Sequence, residues 1–170
     1  DRSLACCGDV ADPAFWAHAV DSAIGRFGQV DILVNAAGVS SRALPDPASP
    51  ESWLSIYRTN TLGAWLGMRA VLPQMRARRR GHIVNVSALA AQIPFPDPVS
   101  ASYAASKAAL ESATRSVALE VAGAGIVVNA VAPGPVVTRM TASMPDRIKM
   151  RLQEKVPMRR WGSAEDIAAT

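Results

Sequence analysis

The sequence predicts an α/β fold built on a parallel sheet. Three observations carry this: short runs rich in Val and Ile alternate with longer stretches of helical periodicity, the later runs are apolar at nearly every position, and capping residues stand where the helical stretches begin and end. A strand with one wet face alternates polar and apolar residues, whereas a strand covered on both faces is apolar throughout. The expected strands are Leu4 to Cys7, Val30 to Val34, His82 to Ser87 and Ile126 to Val131, and the last three are of the second kind.

Between the first two strands a helix is expected from Pro13 to Phe27. Asp12 is placed to accept from its first free amides, proline suits its first turn, and Gly28 closes it. Ser49 to Arg80 predicts one long helix. Ser49 is its cap, Pro50 lies in its first turn, and Trp53, Ile56, Tyr57, Leu62, Leu66 and Val71 recur at helical spacing, with a kink expected at Pro73. The cluster Arg76, Arg78, Arg79 and Arg80 falls at the negative pole of that helix and reads as its solvated end. A further helix runs from Ala101 to Ala122, stopped by Gly123 and Gly125. The proline-bearing stretches Ser40 to Pro47 and Pro94 to Ser100 read as loops. With no repeat, low-complexity tract or linker, residues 1–170 are expected to belong to a single domain.

At 170 residues and 49% hydrophobic content the chain can bury a sizeable core. Its net charge of +4 is not gathered into one tract and aromatic residues are only 5%, which argues against a nucleic-acid partner. The two cysteines, Cys6 and Cys7, are adjacent and rarely reach disulfide geometry, so a reducing, cytoplasmic setting fits. No apolar run approaches the roughly 18 residues that span a bilayer. His18 and His82 have no metal-ligand spacing around them and read as packing or surface residues, so no metal is expected.

The chemistry is carried first by Tyr103 and Lys107. Four residues apart on a helix, they share one face. A tyrosine that titrates near pH 10 exchanges protons poorly at neutral pH unless a nearby cation stabilises its phenolate, and Lys107 is expected to supply that field.

Other segments, read in order, resemble the short-chain dehydrogenase/reductase family. "DILVNAAG" (31–38) is similar to the family's strand and Asn-Asn-Ala-Gly turn, with Ala36 in place of the second asparagine. "GHIVNVSA" (81–88) resembles the strand before the active-site serine, "YAASKAAL" (103–110) the catalytic helix, and "VNAVAPGPVVT" (128–138) the strand and Pro-Gly loop around the nicotinamide. "RWGSAEDIA" (160–168) resembles the start of a late helix. The resemblance implies a partial Rossmann-like, doubly wound parallel sheet. It also implies hydride transfer between NAD or NADP and a ketone or secondary alcohol, with homodimers or homotetramers formed through the two long helices.

On that resemblance Tyr103 is the general acid or base, and Lys107 lowers its pKa and holds the nicotinamide ribose. Asn60 matches the helix asparagine that holds a water behind the lysine. Asp9 and Val10 fall beside adenine, Asn35, Ala36 and Gly38 beneath the adenosine ribose, and Pro133, Gly134, Val137 and Thr138 against the nicotinamide and phosphates. Ser87 is taken as the carbonyl-polarising serine. By strict register Ala88 occupies that slot, and a shift of one residue turns a side chain to the other face, so Ser87 serves only where the strand end bulges.

No Gly-x-x-x-Gly-x-Gly segment occurs in these residues. The resemblance therefore implies that the first βαβ segment, with its pyrophosphate turn and NAD-or-NADP choice, and the last strand lie outside them. The family strand order then leaves the Leu4 strand without a neighbour and the Val30 strand as a bare apolar edge. Alone, the chain is expected to be poorly soluble and to bind dinucleotide weakly. Two readings stand beside the enzyme: a relative that binds a cofactor or metabolite without turnover, and an inactive piece.

Overall fold

The computed structural model describes residues 3–40, 49–93, 101–142 and 144–170. The expected loops at 40–47 and 94–100 lie almost wholly outside them. Strands β1 (Ile32–Asn35), β2 (Gly81–Val86) and β3 (Ile126–Val131) form a parallel sheet in the order β1-β2-β3. Parallel neighbours require long crossovers, and helices fill both: α2 (Pro50–Tyr57) and α3 (Ala64–Arg78) join β1 to β2, and α4 (Ala101–Val121) joins β2 to β3. Helix α1 (Pro13–Phe27) precedes β1 and packs on α3.

Local chemistry sets the helix ends as expected. The Asp12 carboxylate accepts from the Ala14 amide at 2.9 Å, and Gly28 closes α1 at φ 86° with its amide on the Ile24 carbonyl. Ser49 Oγ accepts from the Ser52 amide at 3.1 Å. The long helix departs from the expectation: it runs unbroken through Pro73 and instead widens into a π-helical turn at Arg58–Gly63. Nor is the arginine cluster simply solvated. Arg78 meets Asp31 at 3.0 Å and the Val30 carbonyl at 2.7 Å, Arg79 donates to the Gly123 carbonyl at 2.7 Å, and Arg76 pairs with Glu120. These contacts staple the end of α3 to the entry of β1 and the exit of α4.

The core joins α1, α3 and α4 to one face of the sheet through Val20, Met68, Val71, Met75, Ile83, Val117, Val121 and Val128. On the other face Ile32 and Val34 are 61% and 56% exposed. The continuous apolar runs thus belong to strands with only one face covered among the described residues. Leu4–Cys7 forms no strand, correcting that expectation. A strand exists through a hydrogen-bonded neighbour, and none among the described residues pairs with this segment.

After β3 the chain makes a parallel bridge between Val136 and Gly162 and three helices, α5 (Arg139–Ala142), α6 (Asp146–Lys155) and α7 (Ala164–Ala168). Ser163 and Asp166 cap the start of α7 reciprocally.

Candidate active site

The carboxyl ends of β1 and β2 face the first half of α4, and the candidate residues gather there. Tyr103 and Lys107 lie on one ridge of α4, with the lysine Nζ 6.0 Å from the centre of the phenol ring. Lys107 is only 3% exposed, and its amine donates to the Val86 carbonyl at the end of β2 at 2.6 Å. Burial pulls that amine down to about 8. Burial also pushes the Tyr103 phenol up, opposite in direction to the lowering expected from the lysine. Loss of solvent around the phenol is the cause of that shift.

Asn60, 1% exposed in the π-helical turn, ties three elements together. Its Oδ1 accepts from the Val39 amide at 2.8 Å, and its Nδ2 donates to the Val39 carbonyl at 3.0 Å and to Ser106 Oγ at 3.0 Å. Ser106 Oγ passes the link on to the Tyr103 carbonyl at 2.8 Å. Asn60 and Lys107 meet across Gly38: a Cβ at Gly38 would lie 3.4 Å from Asn60 Oδ1 and 3.5 Å from Lys107 Nζ. A side chain there would fill the space beside the amine. Glycine thus leaves the turn in close approach to both the amine and the amide oxygen.

Two candidates point elsewhere. The Asn35 amide donates to the Ala64 carbonyl at 3.2 Å and to Asn85 Oδ1 at 2.8 Å, inside the protein. Only the backbone of Asn35 is left to face a ligand, beside the exposed Ala36. Ser87 Oγ donates to Glu111 Oε1 at 2.8 Å and approaches the Lys107 carbonyl at 3.3 Å, with the residue 3% exposed. Strand alternation turns it onto α4, so its hydroxyl is not offered to a substrate. Ala88, the next residue, carries no hydroxyl.

The remaining candidates are held by local contacts of their own. Asp9 accepts from the Ala11 amide at 2.8 Å, and the Val10 carbonyl accepts from Trp16 Nε1 at 2.8 Å. The Pro133 carbonyl accepts from the Leu89 amide at 2.8 Å, which lays the loop containing Gly134 over the end of β2. Val137 is 68% exposed, and the Thr138 amide donates to Thr141 Oγ1 at 3.0 Å. Sequence reasoning passed over Ser106 and Glu111. The signal for Glu111 was present, since it continues the four-residue spacing of Tyr103 and Lys107.

A family model described as enoyl-(acyl carrier protein) reductase matches residues 1–170. The chain is 36% identical over 151 residues to a 3-oxoacyl-[acyl-carrier-protein] reductase of Staphylococcus epidermidis, covering 89% of this chain and 61% of that protein. It is 34% identical over 168 residues to the reductase of the same name from Staphylococcus aureus, covering 99% of this chain and 68% of that one. A crystal structure of a gluconate 5-dehydrogenase from Burkholderia cenocepacia, in complex with NADP and tartrate, superposes with a TM-score of 0.86 at 32% identity, over 95% of this chain and 64% of that one. The chain thus spans about three-fifths to two-thirds of the length of these relatives. Together with the Tyr103 and Lys107 ridge, these matches show that the chain belongs to the short-chain dehydrogenase/reductase family.

Proposed function

We propose that residues 1–170 are the greater part of one NAD(P)-binding domain in an oxidoreductase that moves a hydride between a nicotinamide cofactor and a ketone or secondary alcohol. The observation that carries this reading is the pairing of Tyr103 with a buried Lys107 close to Gly38. When bound, the cofactor supplies or accepts the hydride. Lys107 and the backbone of Asn35, Ala36 and Gly38 would hold its ribose moieties, Asp9 and Val10 its adenine, and Pro133, Gly134, Val137 and Thr138 its nicotinamide end. The relatives solved with NADP or NADPH support that assignment for this chain.

Tyr103 acts on the substrate oxygen. Its phenol is protonated at neutral pH, as any tyrosine is and the more so with burial, which is the state a general acid needs to protonate a carbonyl oxygen during reduction. Alcohol oxidation requires the phenolate and therefore accelerates as pH rises. Asn60 positions the turn after β1 against α4. Ser87 is left out of the polarising role by its bond to Glu111, so the phenol carries the contact to the substrate oxygen.

The reading extends to a homo-oligomer joined through the long helices. Trp53, Leu54, Leu62 and Trp65, exposed along α2 and α3 and the turn between them, support it, and sedimentation of the complete polypeptide tests it. For the activity itself, Tyr103→Phe in the complete polypeptide should lower turnover by about 100-fold or more while cofactor affinity stays unchanged. Turnover that survives the substitution would refute the assignment.

A further inference from the structure

One largely buried ionisable side chain next to the site takes no part in the proton or hydride transfer. Glu111 lies one turn beyond Lys107 on α4, and its side chain is 12% exposed. Its carboxylate takes the Ser87 hydroxyl at 2.8 Å and the Gln92 amide at 3.3 Å to each oxygen, so it grips both the residue that follows β2 and the turn after it. Arg115 approaches at 3.9 Å but is 71% exposed, which makes it a weak partner.

Ser87 is a junction. Its amide donates to the Val131 carbonyl at 2.7 Å, tying β2 to the end of β3, while its hydroxyl faces the Glu111 carboxylate and the Lys107 carbonyl. The residue just before it, Val86, offers the carbonyl that holds the Lys107 amine at 2.6 Å. A shift of the strand end relative to α4 moves that carbonyl off the amine. Hydrogen bonds to an ionised acceptor are roughly twice as strong as neutral ones, which suits a carboxylate to fixing that distance.

We propose that Glu111 is a positioning residue: by clamping Ser87 and Gln92 to α4 it holds the Val86 carbonyl on the Lys107 amine and so sets where that amine stands. The role of Lys107 in turnover rests on the oxidoreductase reading; the clamp does not.

The test exploits the fact that the chain has three lysines, Lys107, Lys149 and Lys155, the last two serving as internal references. Native protein is exposed briefly to a small acylating reagent, and modification of each lysine is read by peptide mass spectrometry. Glu111→Leu removes the acceptor while keeping the space filled, and should raise Lys107 modification about tenfold relative to Lys149 and Lys155, as loss of a charge-assisted bond predicts. Glu111→Gln retains an acceptor oxygen for Ser87 and should stay within about twofold of the parent chain. Ser87→Ala, which leaves Gln92 on the carboxylate, should raise Lys107 modification in the same direction, and the double variant should not exceed Glu111→Leu.

Should Glu111→Leu fail to give a native circular dichroism spectrum, Ser87→Ala decides alone. Unchanged Lys107 labelling in a folded Glu111→Leu or Ser87→Ala variant overturns the proposal. In the complete polypeptide, Glu111→Leu should raise the cofactor KM more than it lowers kcat, with Glu111→Gln restoring it. Altered labelling in an enzyme without any turnover would keep the clamp and sink the oxidoreductase reading, so the two fail separately.

Discussion

Asn60 binds both backbone groups of Val39, accepting from its amide at 2.8 Å and donating to its carbonyl at 3.0 Å. One side chain thereby does for the turn after β1 what a neighbouring strand does for a strand. The amide can do so because the π-helical turn presents it inward, and a helix widened in this way commonly marks a functional position.

Asn60→Ala removes those two bonds and the donor to Ser106. The expected loss of stability is about 2–4 kcal/mol, read as a lower urea midpoint. Val39 and Gly38 should also become mobile, visible as faster amide exchange at those residues while β2 and β3 keep their protection. Uniform loss of protection across the sheet would show that Asn60 supports the whole fold and not this turn.

A second buried chain of amides crosses the sheet below the site. Asn35 and Asn85 are register partners, and Asn35 Nδ2 donates to Asn85 Oδ1 at 2.8 Å. Asn85 Nδ2 goes on to Thr114 Oγ1 at 2.9 Å, and that hydroxyl donates to the Leu110 carbonyl at 2.7 Å. Asn85 is fully buried, so each broken link strands a polar group away from water. Asn85→Ala should cost about 3 kcal/mol. Thr114→Val, which removes only the far end, should cost less. Equal costs, measured by chemical unfolding, would show that the chain is not cooperative.

Lys107 and Tyr103 give stability an unusual pH dependence. The Lys107 amine is pulled from 10.5 to about 8 by burial. Between those values the unfolded chain binds a proton that the folded chain has released, so stability rises with pH from about 8 toward 10.5, by about 3 kcal/mol at most. Tyr103 works the other way. Its phenol is pushed above 10.0 by burial, so above that pH the folded chain retains a proton that the unfolded chain loses, and stability falls. A crest near pH 10 in thermal or urea unfolding is expected, and Lys107→Met should flatten its rising limb. A wild-type curve that declines steadily from pH 8 would contradict the buried state of the amine.

How much of this the sequence disclosed depends on the range of the interaction concerned. Asp12, Gly28 and Ser49 marked helix ends correctly because a cap acts over two to four residues. Tyr103 and Lys107 were legible for the same reason, being one helical turn apart. Leu4 to Cys7 looked like a strand, yet a strand is a relation to a neighbour, and the local pattern says nothing of whether one is present. A kink was expected at Pro73, where the helix runs unbroken, while the actual irregularity lies at Arg58–Gly63 and presents Asn60 to Val39 across 21 residues. Ser87 could be taken as the polarising serine only on condition of a bulge, and its bond to Glu111, 24 positions away, is of a range that no local pattern carries.

The face of the sheet away from the helices yields the last prediction. Among the described residues β1 is an edge strand in the order β1-β2-β3, and its Ile32 and Val34 side chains stand 61% and 56% exposed, on the same sheet face as Val127 of β3 at 45%. An apolar edge with unpaired amides and carbonyls is a template for pairing with another chain, and charged side chains, lysine above all, blunt it. The 170-residue chain should therefore self-associate at moderate concentration, and Ile32→Lys with Val34→Lys should shift it toward monomer in sedimentation velocity. Both side chains point away from the core, so the far-ultraviolet circular dichroism should not change. A wild-type chain that sediments as a monomer over the same concentrations would mean that something else covers this edge in solution.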